Sequence, residues 1–417
     1  MAAKKFAMIK RHIESNILRA LSDTPVVLLN GARQTGKSTL VQSLGQTELK
    51  ARYLTLDDST VLSSADKDPM GFIRQFEGTV IIDEVQRAPG LFDAIKIEVD
   101  RRRMAGRFLL TGSANVLLLP KLSQSLTGRM ELLTLWPFSR GEIESRKETF
   151  VDTLFGDINK LPTYSVADRK QVWEEMSIGG YPEVISRSEP DRRQAWFGSY
   201  ITTILQRDIR DMSHIDGLTI MPRLLSILAA RSPGLLNFAE LSRSSGIPQT
   251  TLKRYLSLLE TTFLVRLLPA WSGNLSKRLV KSPKILICDS GLMSYLKGFE
   301  PARLDLYPEY AGPLMENFVI MELFKQISWS RTQPQLYHFR SQAGQEVDVF
   351  MEERGGRIAT IEIKASAQVS FKDFQGICAA RDMLGKRWIC GVILYMGTEK
   401  VSFGDNLFAM PVDTLWA

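Results

Sequence analysis

Cysteine is scarce in this chain. Its 417 residues hold three, Cys288, Cys378 and Cys390. They are odd in number and never form Cys-x-x-Cys, so neither a disulfide framework nor a structural zinc site is indicated. Histidine is equally sparse and scattered, at His12, His214 and His338. No apolar run approaches the roughly 18 residues that a bilayer span needs, and MAAKKFAMIKRHIESN lacks the apolar centre of a signal peptide. The expectation is a soluble, cytoplasmic chain with no membrane partner. Internal repeats and low-complexity tracts are also missing, so every segment is expected to fold. Neither sign of charge dominates: Lys+Arg 53 against Asp+Glu 46 leave a net charge of +7. That balance is compatible with a polyanionic partner without establishing one.

What is present is a globular composition, 44% apolar, in a chain too long for one ordinary core. In the first 140 residues, PVVLLN, ARYLTLDD, TVIIDEV, RFLLTGS and MELLTLWP alternate with helical stretches. This predicts an α/β core in which a parallel sheet is covered by helices on both faces. Residues 141–217 turn helical, including GEIESRKETF and SYITTILQRDIRDM. Residues 218–272 read as helices followed by two short apolar runs. From 273 to 417 a helix at GPLMENFVIMELFKQI precedes strand runs at QLYHF, EVDVFME, IATIEIKA and ICGVILY.

The segment Gly31-Ala32-Arg33-Gln34-Thr35-Gly36-Lys37-Ser38 fits G-x-x-x-x-G-K-[ST] between a strand and a helix. The glycines let backbone N–H groups curl around phosphate oxygens, Lys37 reaches the β and γ phosphates, and the Ser38 hydroxyl coordinates magnesium. Thr39 completes the segment expected to hold ATP. About fifty residues on, Val80-Ile81-Ile82 runs into Asp83 and Glu84 at the carboxyl end of a buried strand, beside that loop. Asp83 is expected to hold hydrated magnesium, and Glu84 to orient and polarise the attacking water.

On these motifs the chain resembles the AAA+ ATPases, and more narrowly a prokaryotic group that joins this module to a C-terminal domain with a nuclease-like core. The resemblance implies a helical lid over residues 141–217. It also implies that Ser113 in FLLTGS, with Asn115 as the alternative, senses the γ-phosphate. Arg129, after Leu126-Thr127-Gly128, takes the place of an arginine finger acting from a neighbouring subunit, with a surface salt bridge as the other interpretation. Gly179-Gly180-Tyr181-Pro182 is similar to the Gly-x-Pro element that packs the adenine, which assigns Pro182 to the nucleotide.

In the middle region, helix, turn and helix over Phe238–Thr261 form a helix-turn-helix pattern. Leu241, Ile247, Leu252, Leu256 and Leu259 face inward, and Arg243, Gln249, Thr250, Lys253 and Arg254 are placed for DNA contact. With FLVRLLPAW as paired strands of a wing, the region looks like a winged-helix domain. Winged helices also dock proteins.

Near the C-terminus, a hairpin places Asp348 on one strand and Glu362 and Lys364 on the next. Two carboxylates and an ammonium can hold a divalent cation and activate water. A plain cross-strand ion pair is the alternative. The set resembles the PD-(D/E)xK nuclease core, although the Pro-Asp pair is absent, and Glu316 on the preceding helix stands where that family carries a further acid. Taken together, the expectation is an ATP- and Mg2+-dependent hydrolase, a ring-forming homo-oligomer with the hexamer preferred, that remodels or moves along DNA, branched DNA included. An ATP-gated nuclease of genome defence and a nucleotide-dependent signalling switch with a protein partner are the alternatives.

Overall fold

All five apolar runs of the first 140 residues are strands: β1 (Val26–Asn30), β2 (Arg52–Thr55), β3 (Val80–Asp83), β4 (Phe108–Gly112) and β5 (Met130–Thr134). They form one sheet in the order β2-β3-β4-β1-β5, with every pair parallel. The central strands are apolar at successive positions because both faces are covered. Val26, Leu28, Val80, Ile82, Phe108 and Leu110 pack on one face with Phe72, Leu91, Phe92 and Ile95. Val27, Leu29, Ile81 and Leu109 pack on the other with Ile17, Leu21, Leu40, Val41 and Leu44. This parallel order brings the carboxyl ends of β3, β4 and β1 side by side.

The computed structural model describes residues 9–113, 126–161, 168–212, 219–300, 308–341 and 344–416. It divides into two units: Lys10–Pro137 with Ser257–Phe263, and Phe138–Leu256 with the chain from Leu264 onward. The boundary at Pro137/Phe138 lies just before the division expected at 140/141, and the divisions expected at 217/218 and 272/273 fall inside one unit. Polar contacts show why the segments after Phe138 stay together. The Arg140 backbone N–H donates to Glu322 (2.9 Å), and that of Gly180 donates to Asp289 (2.8 Å). Asp152 accepts from Ser330, Arg331 and Thr332.

GEIESRKETF is not one helix. Ser139 and Glu142 form a capping box on the short helix Arg140–Ile143, the chain turns at Ser145 (φ +57°), and a new helix runs over Phe150–Phe155. The other expected helix, SYITTILQRDIRDM, is helical, with an expanded π turn at Ile204–Asp208.

The helices Phe238–Ser245 and Gln249–Thr261 follow the expected pattern. Asn237 caps the first by accepting from the Glu240 N–H, and Gly246 (φ +75°) ends it. Leu241, Ile247, Leu252, Leu256 and Leu259 are buried. Arg243, Gln249, Thr250, Lys253 and Arg254 are all exposed. FLVRLLPAW does not supply both strands after these helices. Only β6 (Val265–Leu268) lies in it, and its antiparallel partner is β7 (Lys284–Ile287).

The remaining strands are β8 (Gln335–Arg340), β9 (Glu346–Glu352), β10 (Ile358–Lys364), β11 (Trp388–Tyr395), β12 (Val401–Gly404) and β13 (Leu407–Pro411). They form a mixed sheet in the order β12-β13-β11-β10-β9-β8. The pairs β8–β9 and β9–β10 are antiparallel, whereas β10–β11 and β11–β13 are parallel. GPLMENFVIMELFKQI forms the helix Ala311–Ile327, buried along most of its length.

Candidate functional site

The phosphate loop leaves β1 through backbone that only glycine adopts easily. Gly31 has φ +150°, and a Cβ there would lie 2.2 Å from the Leu135 carbonyl oxygen. Gly36, at φ +89°, starts the helix Lys37–Thr47 and has no neighbouring atom within 4 Å of a Cβ position. The loop therefore encloses open space at the N-terminus of an eleven-residue helix, where first-turn N–H groups lack intrahelical acceptors and attract anions. Gln34 is also left-handed, at φ +63°. Lys37 is buried, and its ammonium donates to the carbonyls of Gly31 (3.0 Å) and Ala32 (2.8 Å). Thr35 donates to Ala32 (3.0 Å). Arg33 and Ser38 are half-buried, and Thr39 is exposed. The loop is also held from outside the motif: Arg11 donates to the carbonyls of Thr35 (2.9 Å) and Trp136 (2.7 Å).

Asp83 ends β3 in a buried position, and both its oxygens are engaged. Tyr53 on β2 donates to Oδ2 (2.8 Å), and Thr111 on β4 donates to Oδ1. Burial first, and then the Asp83 carboxylate, push the Tyr53 hydroxyl up to about 12, so it stays a donor. Thr111 in turn accepts from the Glu84 N–H (3.0 Å). Glu84 has φ +59°, a left-handed conformation uncommon for a residue with a side chain and found in tight functional turns. Its carboxylate accepts from the amide of Gln86, which also donates to Ser113 Oγ (2.9 Å). Lys37, Ser38, Asp83, Glu84 and Ser113 thus come from the adjoining ends of β1, β3 and β4. Tyr53, Thr111, Gln86 and Arg11 are additions that motif spacing did not reveal.

These residues fit a nucleotide with a divalent cation: a glycine-bounded loop at a helix N-terminus, a buried lysine, and two acids at the end of β3, one strand removed from β1. Asn115 lies outside the described residues. Arg129 donates to both oxygens of Asp100 (2.5 and 2.9 Å). It precedes Met130, which pairs with Val26, so five strand positions, on the order of 16 Å, separate it from the loop after Asn30 in its own subunit. Pro182 starts a four-residue helix and is half-buried; the neighbouring Tyr181 is fully buried and meets the hydroxyl of Tyr200 (3.1 Å).

The second unit gathers the other predicted acids. Asp348 on β9 accepts from the Ile363 N–H (3.0 Å), and Glu362 pairs with Lys364 (2.9 Å) on β10. Glu316, on the helix Ala311–Ile327, joins them through Lys284 of β7, whose ammonium lies 2.5 Å from Glu316 and 3.3 Å from Asp348. Lys284 was not among the sequence candidates. Burial first, and then the Asp348 charge, push Glu316 up to about 7 and Glu362 up to about 8, against the opposing pull of Lys284 and Lys364 respectively. One Glu362 oxygen is buried without a hydrogen-bond partner among the described residues. Among the described residues no group of three His, Cys, Asp or Glu side chains is arranged to hold a metal ion. The Lys284 ammonium supplies the positive charge between Glu316 and Asp348. A cavity of about 410 Å³ opens here, lined in part by Arg231, Lys284, Glu316, His338 and Arg340.

The first unit is a Walker-type nucleotide-binding core, and it defines an ATPase of the AAA class. Residues 23–144 match the family described as AAA domain, while residues 169–303 and 311–415 match two families described as domains of unknown function, DUF8612 and DUF4143. The chain belongs to the family of the uncharacterized protein Rv2008c of Mycobacterium tuberculosis, with 32% identity over 97% of this chain and 84% of that protein. An uncharacterized protein of Haemophilus influenzae is 26% identical over 76% of this chain and 79% of its own length. Among solved structures, the Walker-type ATPase PABY2304 of Pyrococcus abyssi covers 71% of this chain and 98% of its own, at 15% identity and a TM-score of 0.44. AMPPCP-bound DnaA from Aquifex aeolicus covers 59% and 86%, at 15% identity and a TM-score of 0.29.

Proposed function

We propose that the protein is an oligomeric AAA+ ATPase that binds DNA and remodels it or moves along it. Mg2+-ATP is its fuel. The observation that carries the DNA part is the helix-turn-helix surface: all five residues assigned to contact, Arg243, Gln249, Thr250, Lys253 and Arg254, are exposed while its apolar positions are buried. The antiparallel ribbon of β6 and β7 that follows supports reading the region as a winged helix.

In hydrolysis, loop N–H groups and Lys37 neutralise the β and γ phosphates, and Ser113 marks the γ end. Ser38 and Asp83 would hold magnesium, which would supply charge neutralisation when bound. Glu84 orients the water whose oxygen bonds to the γ phosphorus as the bond to the β–γ bridging oxygen breaks. Arg129 is assigned to a neighbouring subunit's nucleotide as an arginine finger, a role in which it would exchange Asp100 for phosphate, and Pro182 to the adenine side.

The test is ATP turnover with single-stranded, duplex and branched DNA added separately. Stimulation by one form is expected. Lys253→Glu with Arg254→Glu is expected to weaken DNA binding at least tenfold at low salt and to reduce the salt slope by about two, since two phosphate contacts are lost. Anisotropy titrations at several salt concentrations measure both. Turnover indifferent to every DNA, with unchanged affinity in the double variant, would point instead to a protein partner.

A second proposal, nuclease activity, is favoured by the convergence of Glu316, Asp348, Glu362 and Lys364 on a helix and two strands of a mixed sheet, with Glu316 lining a cavity. Nicking of DNA with magnesium or manganese is expected to be lost in Asp348→Ala, which should keep its ATPase. Gel assays on the three DNA forms decide it, and no cleavage by wild type with either metal leaves the domain a binding platform.

A further inference from the structure

The ends of β3 and β4 carry one contact that the assignment of Glu84 and Ser113 leaves unused. Gln86 lies in the short 3-10 turn Val85–Arg87, directly after the left-handed Glu84. That reversal brings the residue 86 side chain back over the residue 84 side chain. Its Nε2 donates both to Glu84 Oε2 and to Ser113 Oγ. A carboxylate only accepts, so the amide nitrogen must face Glu84, which settles the orientation of the Gln86 side chain. Among the described residues the amide oxygen is buried without a hydrogen-bond partner. An unmet acceptor of this kind is unusual in a folded protein and calls for a reason beyond packing.

We infer that Gln86 is a positioning residue for ATP hydrolysis, one amide group setting both the water-orienting carboxylate and the γ-phosphate sensor. Two consequences follow from the donor inventory. With Oε2 of Glu84 engaged, Oε1 is the oxygen directed to water. Ser113 has a single hydroxyl proton, and because its oxygen accepts from Gln86, that proton points away from Gln86 toward another acceptor. A phosphate oxygen is such an acceptor. Gln86 therefore presents Ser113 as a donor and Glu84 as a base through the same nitrogen, and it links β3 to β4 at the reacting end of the nucleotide.

The inference rests on the ATPase assignment, and the test separates the two. Steady-state turnover is measured for wild type, Glu84→Gln, Gln86→Ala and Gln86→Glu, together with binding of a fluorescent non-hydrolysable ATP analogue. Gln86→Ala is expected to lower kcat about 10- to 100-fold, the scale of a mispositioned reacting group, while KM and analogue affinity stay within about twofold. Gln86→Glu replaces the donor by a second carboxylate, so the hydrogen bond that holds Glu84 is lost. Its kcat is expected to fall about 10-fold or more, and by more than analogue affinity does. Should Gln86→Ala fail to fold, the near-isosteric Gln86→Glu carries the test through that split between kcat and affinity. Wild-type kcat in Gln86→Ala or in Gln86→Glu, while Glu84→Gln is inactive, overturns the inference. Full turnover in Glu84→Gln overturns the ATPase assignment itself.

Discussion

Glu84→Gln is expected to lower ATP turnover by a factor of about 10² to 10³, the cost of losing one well-placed group at the reacting centre, with nucleotide affinity nearly unchanged. The amide keeps the size of the side chain and, at φ +59°, the same backbone. What it loses is the negative charge that orients the water. Lys37→Ala should lose turnover to a similar extent and also weaken nucleotide binding. Its ammonium acts on ground state and transition state alike, whereas the loop backbone that remains still cradles phosphate. The contrast is the informative part. Equilibrium binding and turnover measured on both variants should show Glu84→Gln as a binder that does not turn over and Lys37→Ala as a weak binder. Comparable affinity losses in the two would mean that Glu84 acts in binding instead.

A second large effect is expected far from the phosphate loop. Lys284→Met removes the ammonium shared by Glu316 and Asp348 and leaves buried carboxylates facing each other, a change that typically costs about 3–5 kcal/mol. The melting temperature should fall accordingly. Its pH dependence identifies the cause. Glu316 at about 7 and Glu362 at about 8 both stand above the ordinary 4.5, so across this interval the folded protein holds protons that the unfolded chain has released. Stability therefore falls as pH rises through it. His338, which burial holds down at about 4 against an ordinary 6.5, acts in the opposite sense as pH drops below 6.5. The decline should accordingly be seen most clearly between about pH 6.5 and 8, and it should be steeper in Lys284→Met, where the ammonium no longer offsets the acids. Lys284 itself, raised from 10.5 by the two carboxylates against the cost of burial, loses its contribution only in more alkaline solution. Thermal melts at the two pH values, with and without manganese, test the cluster. Recovery of the variant by manganese would show that a metal ion can take the place of the ammonium.

Features encoded within one short segment were legible in the sequence. Val26–Asn30, the loop after it and Val80–Asp83 are read correctly because an apolar run and its functional residues are neighbours in the chain. The hairpin bearing Asp348 and Glu362 is legible for the same reason: alternating positions and a Gly-Gly turn identify it locally. What escaped is long-range. Tyr53 meets Asp83 across 30 residues, Thr111 across 28 and Lys284 meets Asp348 across 64, and no spacing rule connects such partners. The second strand of the β6–β7 ribbon was assigned too early for the same reason, since pairing with Lys284–Ile287 is a tertiary choice. GEIESRKETF carries helix-forming residues, but Glu142 is used in a capping box and Ser145 adopts a left-handed turn, so local geometry overrides propensity there.

The bridge from Arg11 to Thr35 and Trp136 bears on where this nucleotide-binding module can be cut. A fragment trimmed to the first strand, or to residue 23 where the family match begins, would keep every residue of the phosphate-loop motif. It would nevertheless lose the guanidinium strut on the loop and the helix Glu14–Asp23, whose Ile17 and Leu21 cover one face of the sheet. The smallest autonomous piece is thus longer at its amino end than its signature suggests, and activity lost on such trimming would report a missing brace and an uncovered core face, not a missing catalytic group.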